Sequence, residues 1–218
     1  QHLQTVPIKL TVEWELPPNR RRTWDFLLGL QCYIYNRGMN NTCKQVSVHL
    51  GKKTTITKYK TTSRESMVDI LGKQTSNESE LIHETMIGLY CVNPLLGMIP
   101  NFSFTFNMSF EDSQLYTEYF DNENLFEYIT HGEFSIEDYK CILLQIALAL
   151  YTAQQQCLFI HYDLYPWNVM LVKHKDIQTI TYPISLGKAI QVRTCIVPII
   201  IDYGKSHASP PFSGPSFG

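Results

Sequence analysis

Two short stretches of this 218-residue chain combine residue types that could do chemistry with spacings that could hold them together. The first is His161-Tyr162-Asp163-Leu164-Tyr165-Pro166-Trp167-Asn168, which leads into the apolar run Val169-Met170-Leu171. The second is Asp202-Tyr203-Gly204, at the end of the apolar run Val197 to Ile201. Transfer of a phosphoryl group needs a carboxylate to orient the attacking hydroxyl, and a hard cation to neutralise the phosphate oxygens. Asp163 has the residue type for the first role. Asn168 and Asp202 offer the oxygen ligands that magnesium takes in octahedral geometry. Each apolar run reads as a short buried strand that would fix its polar neighbour at a strand end. The bland alternative is that both aspartates cap turns after strands, a common use of that side chain. It accounts for either stretch alone better than for the two together.

His-x-Asp with an Asn five residues after the Asp, then Asp-x-Gly after an apolar strand, resembles the catalytic loop and metal-binding turn of protein kinases. The spelling His-Tyr-Asp-Leu-Tyr-Pro-Trp-Asn looks most like kinases inferred in large DNA viruses, with some similarity to haspin. The resemblance implies an α+β, protein-kinase-like two-lobed fold with ATP and magnesium between the lobes. A strand-rich N-lobe would cover residues 45–120 and a helical C-lobe residues 121–207, truncated after the Asp-x-Gly motif. Residues 1–44 would form an N-terminal extension and residues 208–218 a flexible tail. The implied activity is transfer of the ATP γ-phosphate to a hydroxyl, as in a serine/threonine protein kinase.

By the same match Asp163 is catalytic, and Asn168 and Asp202 hold magnesium. The strand lysine that grips the α and β phosphates is best matched by Lys58, in Thr55-Ile56-Thr57-Lys58. Lys60 is the fallback, since both point to one face at strand period two. Glu84, ten residues before Pro94, would pair with that lysine. Thr117 would be the gatekeeper, and the Glu118 carbonyl and Phe120 amide would meet the adenine. The bland readings are an edge-strand surface lysine for Lys58 and a solvated helical glutamate for Glu84.

Departures from the family pattern leave other readings open. No Gly-x-Gly-x-x-Gly occurs, so the phosphate-covering loop is replaced. Tyr162 stands for the arginine that receives an activation-loop phosphate, and Tyr165 for the lysine that steadies the transferred phosphate. Tyr203 for phenylalanine is milder. The chain ends in Ser209-Pro210-Pro211-Phe212-Ser213-Gly214-Pro215 and three further residues, a flexible composition. A catalytically weak pseudokinase or a structural, virion-associated protein is therefore one alternative. A small-molecule kinase of the aminoglycoside or choline type, which shares the same motif elements, is another. The helix expected over Ser135 to Gln156 carries an apolar surface too broad for one seam, so either residues beyond 218 or another chain are expected to cover it.

Bulk properties set the frame. At 44% hydrophobic residues the chain can bury a real core. A net charge of −2 implies no general pull toward nucleic acid or anionic membrane. Six cysteines with no Cys-x-x-Cys suit a reduced, intracellular protein, cytoplasmic or in a virion. The longest apolar stretch, Cys141 to Ile160, carries Gln145, Gln154, Gln155 and Gln156 and reads as a buried helix, not a membrane span.

The elements that must position the chemistry follow from pattern. Thr5 to Glu15 reads as a strand ended by Pro17-Pro18-Asn19, Arg20-Arg21-Arg22 as a solvated run, and Thr23 as the cap of a helix toward Tyr35. Gln45 to Tyr59 reads as two strands turning at Gly51-Lys52-Lys53, and Met67 to Asn77 as a connecting segment. A helix is expected from Glu78 to Val92, a strand over Phe102 to Phe106, and a turn over Asn107 to Asp112. A last sheet strand is expected over Leu115 to Phe120, then a short helix over Asn122 to Ile129. Between the two motifs, Lys173 to Thr194 reads as an inserted hairpin turning near Leu186-Gly187-Lys188.

Overall fold

The computed structural model describes residues 24–51, 54–61, 68–131, 135–185 and 188–209. The readings made for Thr5 to Thr23, Lys52-Lys53, Met67, Leu186-Gly187 and the tail from Pro210 lie outside these residues.

The architecture is α+β. Helices α1 (Trp24–Arg37) and the short α2 (Met39–Thr42) precede three strands, β1 (Cys43–Leu50), β2 (Thr54–Thr61) and β3 (Asp69–Thr75). Helix α3 (Glu78–Met86) runs into a π-helical segment, Ile87–Val92, and a 3-10 segment, Asn93–Gly97. Strands β4 (Thr105–Ser109) and β5 (Gln114–Tyr119) complete an antiparallel sheet in the order β1-β2-β3-β5-β4. Then come α4 (Leu125–Thr130), α5 (Ile136–Cys157), a 3-10 turn at Pro166–Asn168, and the hairpin β6 (Val169–Ser185) and β7 (Lys188–Ile200).

Sheet and helices meet face to face. Helix α1 buries Phe26, Leu27, Leu30 and Ile34 at helical spacing, and they share one core with Ile70, Phe104, Phe106 and Tyr116. Gln31 Nε2 ties it to the edge by donating to the Phe106 carbonyl at 2.6 Å. On α3, Leu81 packs with Met108 and Leu115, and Leu115 lies opposite Lys73 in the β3–β5 register. Ile70 and Lys73 point to opposite faces at period two, so α1 backs the sheet and α3 lies on the face that carries Lys73.

Strand β3 is where the sequence reading and the structure part. Asp69-Ile70-Leu71-Gly72-Lys73-Gln74-Thr75 has few β-formers, yet it is the central strand, paired with β2 and β5 along its length. Gly72 explains part of this composition. A Cβ there would run into the Gln114 side chain and come within 2.8 Å of the Tyr59 ring. Those residues use the space for a polar cluster, in which the Tyr59 and Tyr116 hydroxyls both donate to Gln114 Oε1 at 3.1 and 3.0 Å. Another difference concerns β4. It begins at Thr105 and runs through Asn107 to Ser109, where a turn was expected, and Phe102 makes only an isolated bridge to Ile200.

Helix α5 starts where Ser135 accepts from the Asp138 amide, and it ends at Leu158 in the left-handed conformation. Its residues Ile142, Ile146, Ala149 and Ala153 share a core with Ile180, Tyr182, Val192 and Ile199 of the long hairpin. The Tyr182 hydroxyl, fully buried, donates to Asn101 Oδ1 at 2.9 Å. The insert between the two motifs therefore covers much of the helix that was expected to need residues beyond 218 or another chain. Ile136, Leu143, Leu144 and Tyr151 stay exposed. Among the described residues no helix is long and apolar enough to cross a membrane.

Candidate functional site

The loop from His161 to Asn168 is built by its own hydrogen bonds. The Tyr165 amide donates to the Asp163 carbonyl and the Asn168 amide to the Tyr165 carbonyl, both at 2.9 Å. Pro166 at the start of the 3-10 turn loses no bond by lacking an N–H. Asn168 is buried, and its Nδ2 donates to the Asp163 carbonyl at 2.8 Å. This spends the donor end of the amide on the loop, so the oxygen end is the one available to a cation. The Asp163 carboxylate is half-buried and accepts no hydrogen bond from the described residues. Among the described residues that carboxylate therefore forms no cap.

The two motifs are joined through main chain and one imidazole. The Ile201 amide donates to the Asn168 carbonyl at 3.0 Å. His161, buried, has Nε2 3.0 Å from the Ile201 carbonyl and Nδ1 3.3 Å from the Asp163 amide. A carbonyl only accepts and an amide only donates, so the ring is neutral with its proton on Nε2. Burial lowers the His161 pKa below its ordinary value, against the opposing pull of the Ile201 carbonyl and the nearby aspartates. A histidine held neutral in the fold binds its proton more readily when unfolded. Its stabilising contribution is present above the unfolded pKa of about 6.5 and is lost as pH falls through the depressed folded value. We predict that thermal melting drops between pH 7.5 and pH 5, and that His161→Gln flattens that slope. An unchanged slope in the variant would assign the pH dependence to other groups.

Lys73 gathers the remaining groups. Its Nζ lies 2.7 Å from Glu84 Oε2 and 2.8 Å from Asp202 Oδ1. Three elements meet there: the central strand, α3 and the turn after β7. Burial opposes the ammonium, but Glu84 and Asp202 together outweigh it and hold the Lys73 pKa above its ordinary value. Burial pushes the Glu84 carboxyl up, against Lys73 and a main-chain hydrogen bond from Tyr203. For Asp202 burial works the same way, but Lys73 and the Gly204 amide prevail, and its pKa lies below the usual value. Asp202 sits at φ 64°, and Tyr162 beside Asp163 at φ 59°. Such left-handed backbone costs a non-glycine residue energy and collects at functional turns.

Lys58, the expected partner of Glu84, is elsewhere. Its Nζ is 3.1 Å from Asp69 and 3.2 Å from Asp121, and 4.1 Å from the Tyr119 ring centre. It shares a face with Lys73, since Lys58 pairs with Leu71 and Ile56 with Lys73, but it stands one cross-strand step further along. Lys60 is exposed, opposite Asp69. Reading β3 as a connector removed Lys73 from consideration. The signal that could have found it is Ile70-Leu71-Gly72-Lys73, two apolar residues and a small one leading to a lysine eleven residues before Glu84.

The other expected positions fall on β5 and just after it. Thr117 is half-buried opposite Leu71, on the face of Lys73. Glu118 is buried, and its carboxylate accepts from the Phe104 amide at 3.2 Å, while its own amide donates to the Phe104 carbonyl at 2.9 Å. Its side chain thus holds β5 to the preceding segment. Phe120 packs against the core of the helical part.

Magnesium is tested by charge and donor type. One ammonium between two carboxylates leaves the cluster net negative, and Asn168 adds an amide oxygen. Among the described residues no three or more His, Cys, Asp or Glu gather as a metal site. The residues thus fit an ion that keeps most of its ligands from water and phosphate.

Over 176 residues, 72% of the chain, the sequence is 37% identical to the uncharacterized protein 179R of Invertebrate iridescent virus 6, 14% of which is matched. It is 26% identical to the uncharacterized protein 035R of Invertebrate iridescent virus 3, over 95% of the chain and 24% of that protein. Both relatives are proteins of invertebrate iridescent viruses. The chain spans a quarter or less of the length of either. No family model matches the chain.

Proposed function

We propose that the chain has a protein-kinase-like two-lobed fold and acts as an ATP-dependent phosphotransferase, with a serine or threonine hydroxyl as acceptor. The observation that carries this reading is Lys73 bridging Glu84 and Asp202 at 2.7 and 2.8 Å, with Asn168 and Asp163 tied to the same turn. In this reading the sheet and α3 form the N-lobe, and α4, α5 and the hairpin form a partial C-lobe. Lys73 contacts the α and β phosphates, and Glu84 holds Lys73 in place. Asp163, with its carboxylate uncommitted, accepts the acceptor hydroxyl's hydrogen bond and orients its oxygen. Thr117 and Leu71 line the inner wall, and the main chain of Glu118 and Phe120 meets the base. Magnesium, when bound, would neutralise phosphate oxygens, held by Asn168 and Asp202.

The test is a thermal shift with ATP and magnesium. At about a hundred times its dissociation constant, a ligand specific for the folded state adds roughly 2.7 kcal/mol. We expect a rise in wild type and a smaller one in Asp202→Asn, which removes one ligand charge. No rise in wild type would overturn the reading.

A catalytically weak form of the same fold is favoured by one observation. No lysine or arginine lies between His161 and Asn168, and Tyr165, where a cation would steady the phosphate, stacks instead on Trp167. Nucleotide binding without transfer would select it.

A further inference from the structure

The catalytic loop exposes rings where a phosphate-handling surface would carry cations. Tyr165 and Trp167 stack with centroids 4.6 Å apart at 14°, and Phe126 of α4 meets Trp167 edge-on at 6.3 Å. Each ring is about half exposed, at 51%, 51% and 49%. None of this surface is needed for the core, and the Tyr165 amide binds the Asp163 carbonyl. The rings therefore stand beside the residue placed to orient the acceptor.

The charge around them selects what they can hold. The facing segments, Asp121 to Thr130 and His161 to Asn168, contain Asp121, Glu123, Glu127 and Asp163 and no lysine or arginine. Lys58 pairs with Asp121 and Lys173 with Glu123, which leaves Glu127 and Asp163 unmatched by a cation among the described residues. Stacked rings in a negative field attract a cation through the ring quadrupole. The same field repels the phosphates of a nucleic acid. Small-molecule sites enclose most of their ligand, whereas these rings lie open, which suits an extended chain.

We propose that Phe126, Trp167 and Tyr165 form the acceptor platform, and that it takes a basic polypeptide segment whose arginine or lysine lies over the rings while a neighbouring hydroxyl reaches Asp163. This rests on the phosphotransferase reading for the hydroxyl, but the binding step is measured without it.

The test is calorimetry of the whole chain with a synthetic peptide of alternating arginine and serine. Wild type binds it, more tightly at low salt, and Trp167→Leu weakens binding by about tenfold, as the loss of a partly desolvated cation–π contact requires. Tyr165→Leu is the second variant, and the ATP thermal shift of both shows that the fold and nucleotide site are intact. Equal peptide affinity in wild type and both variants overturns the platform. So does Trp167-dependent binding that is tighter for a single-stranded oligonucleotide, or for choline, than for the peptide. An ATP shift in wild type without peptide binding overturns the acceptor class alone. Absence of the ATP shift overturns the phosphotransferase reading, while Trp167-dependent peptide binding would still stand as a property of the surface.

Discussion

Lys73→Met should lower folding stability by about 3–5 kcal/mol, the cost of stranding one partner of a buried charge pair. Lys58→Met should cost about 1 kcal/mol or less, as surface pairs do. The two lysines look alike in sequence, on neighbouring strands and each with two carboxylate partners. They differ in what is left behind. Without Lys73, the Glu84 carboxylate loses its cation in a place water barely reaches, and its side chain is only 4% exposed. It must then take up a proton, since burial already pushes its pKa upward. Without Lys58, Asp69 and Asp121 both still reach solvent, their side chains being 27% and 79% exposed. Urea unfolding of the two variants decides the matter by their midpoints at unchanged slope. A larger loss for Lys58→Met would mean that the costlier buried ion pair is the one at that residue.

Asp163→Ala should lower turnover by two to four orders of magnitude, the usual contribution of a positioned acid–base group, with stability and ATP binding nearly unchanged. The separation follows from the loop geometry. Asp163 holds its neighbours through main-chain atoms, its carbonyl accepting from Tyr165 and Asn168 and its amide donating to His161. An alanine keeps all three bonds. The Asp163 carboxylate makes none with the described residues, so its removal is expected to change transfer and not shape. Single-turnover phosphate transfer together with the ATP thermal shift checks both halves. Wild-type turnover equal to that of the variant would reduce Asp163 to a loop residue.

What was legible in the sequence was the part in which local pattern and tertiary role agree. The helix at α5 announced itself by period and by Ser135. The strands at β6 and β7 were plain as apolar runs, with Asn168 just before the first and Asp202 just after the second. Strand β3 was illegible because its residues answer to their neighbours. Gly72 makes room for Tyr59 and Gln114, and Lys73 is polar because it meets Glu84 and Asp202. These reasons lie 11 or more residues away, and a window along the chain does not contain them. The role of the long insert was hidden for the same cause. Tyr182 and Ile180 read as ordinary hairpin residues until α5 is seen packed against them.

The tyrosine in Asp202-Tyr203-Gly204 changes how that turn can move. Its hydroxyl accepts from the Ser103 amide at 2.9 Å and faces the carbonyls of Ser103 and Ile200, each at 3.0 Å. A phenylalanine ring could swing out of its pocket at the cost of apolar burial alone. Tyr203 would also give up its hydroxyl's hydrogen bonds, worth about 0.5–1.5 kcal/mol net, while the Ser103 amide keeps its bond to the Ile200 carbonyl at 3.0 Å. At 1.4 kcal/mol per decade, the outward conformer is then about two to ten times rarer than the same fold with phenylalanine would populate. Asp202 is thereby favoured in its place facing Lys73. Where a phenylalanine would leave the turn loosely latched, the tyrosine weights it toward the position in which Asp202 meets Lys73.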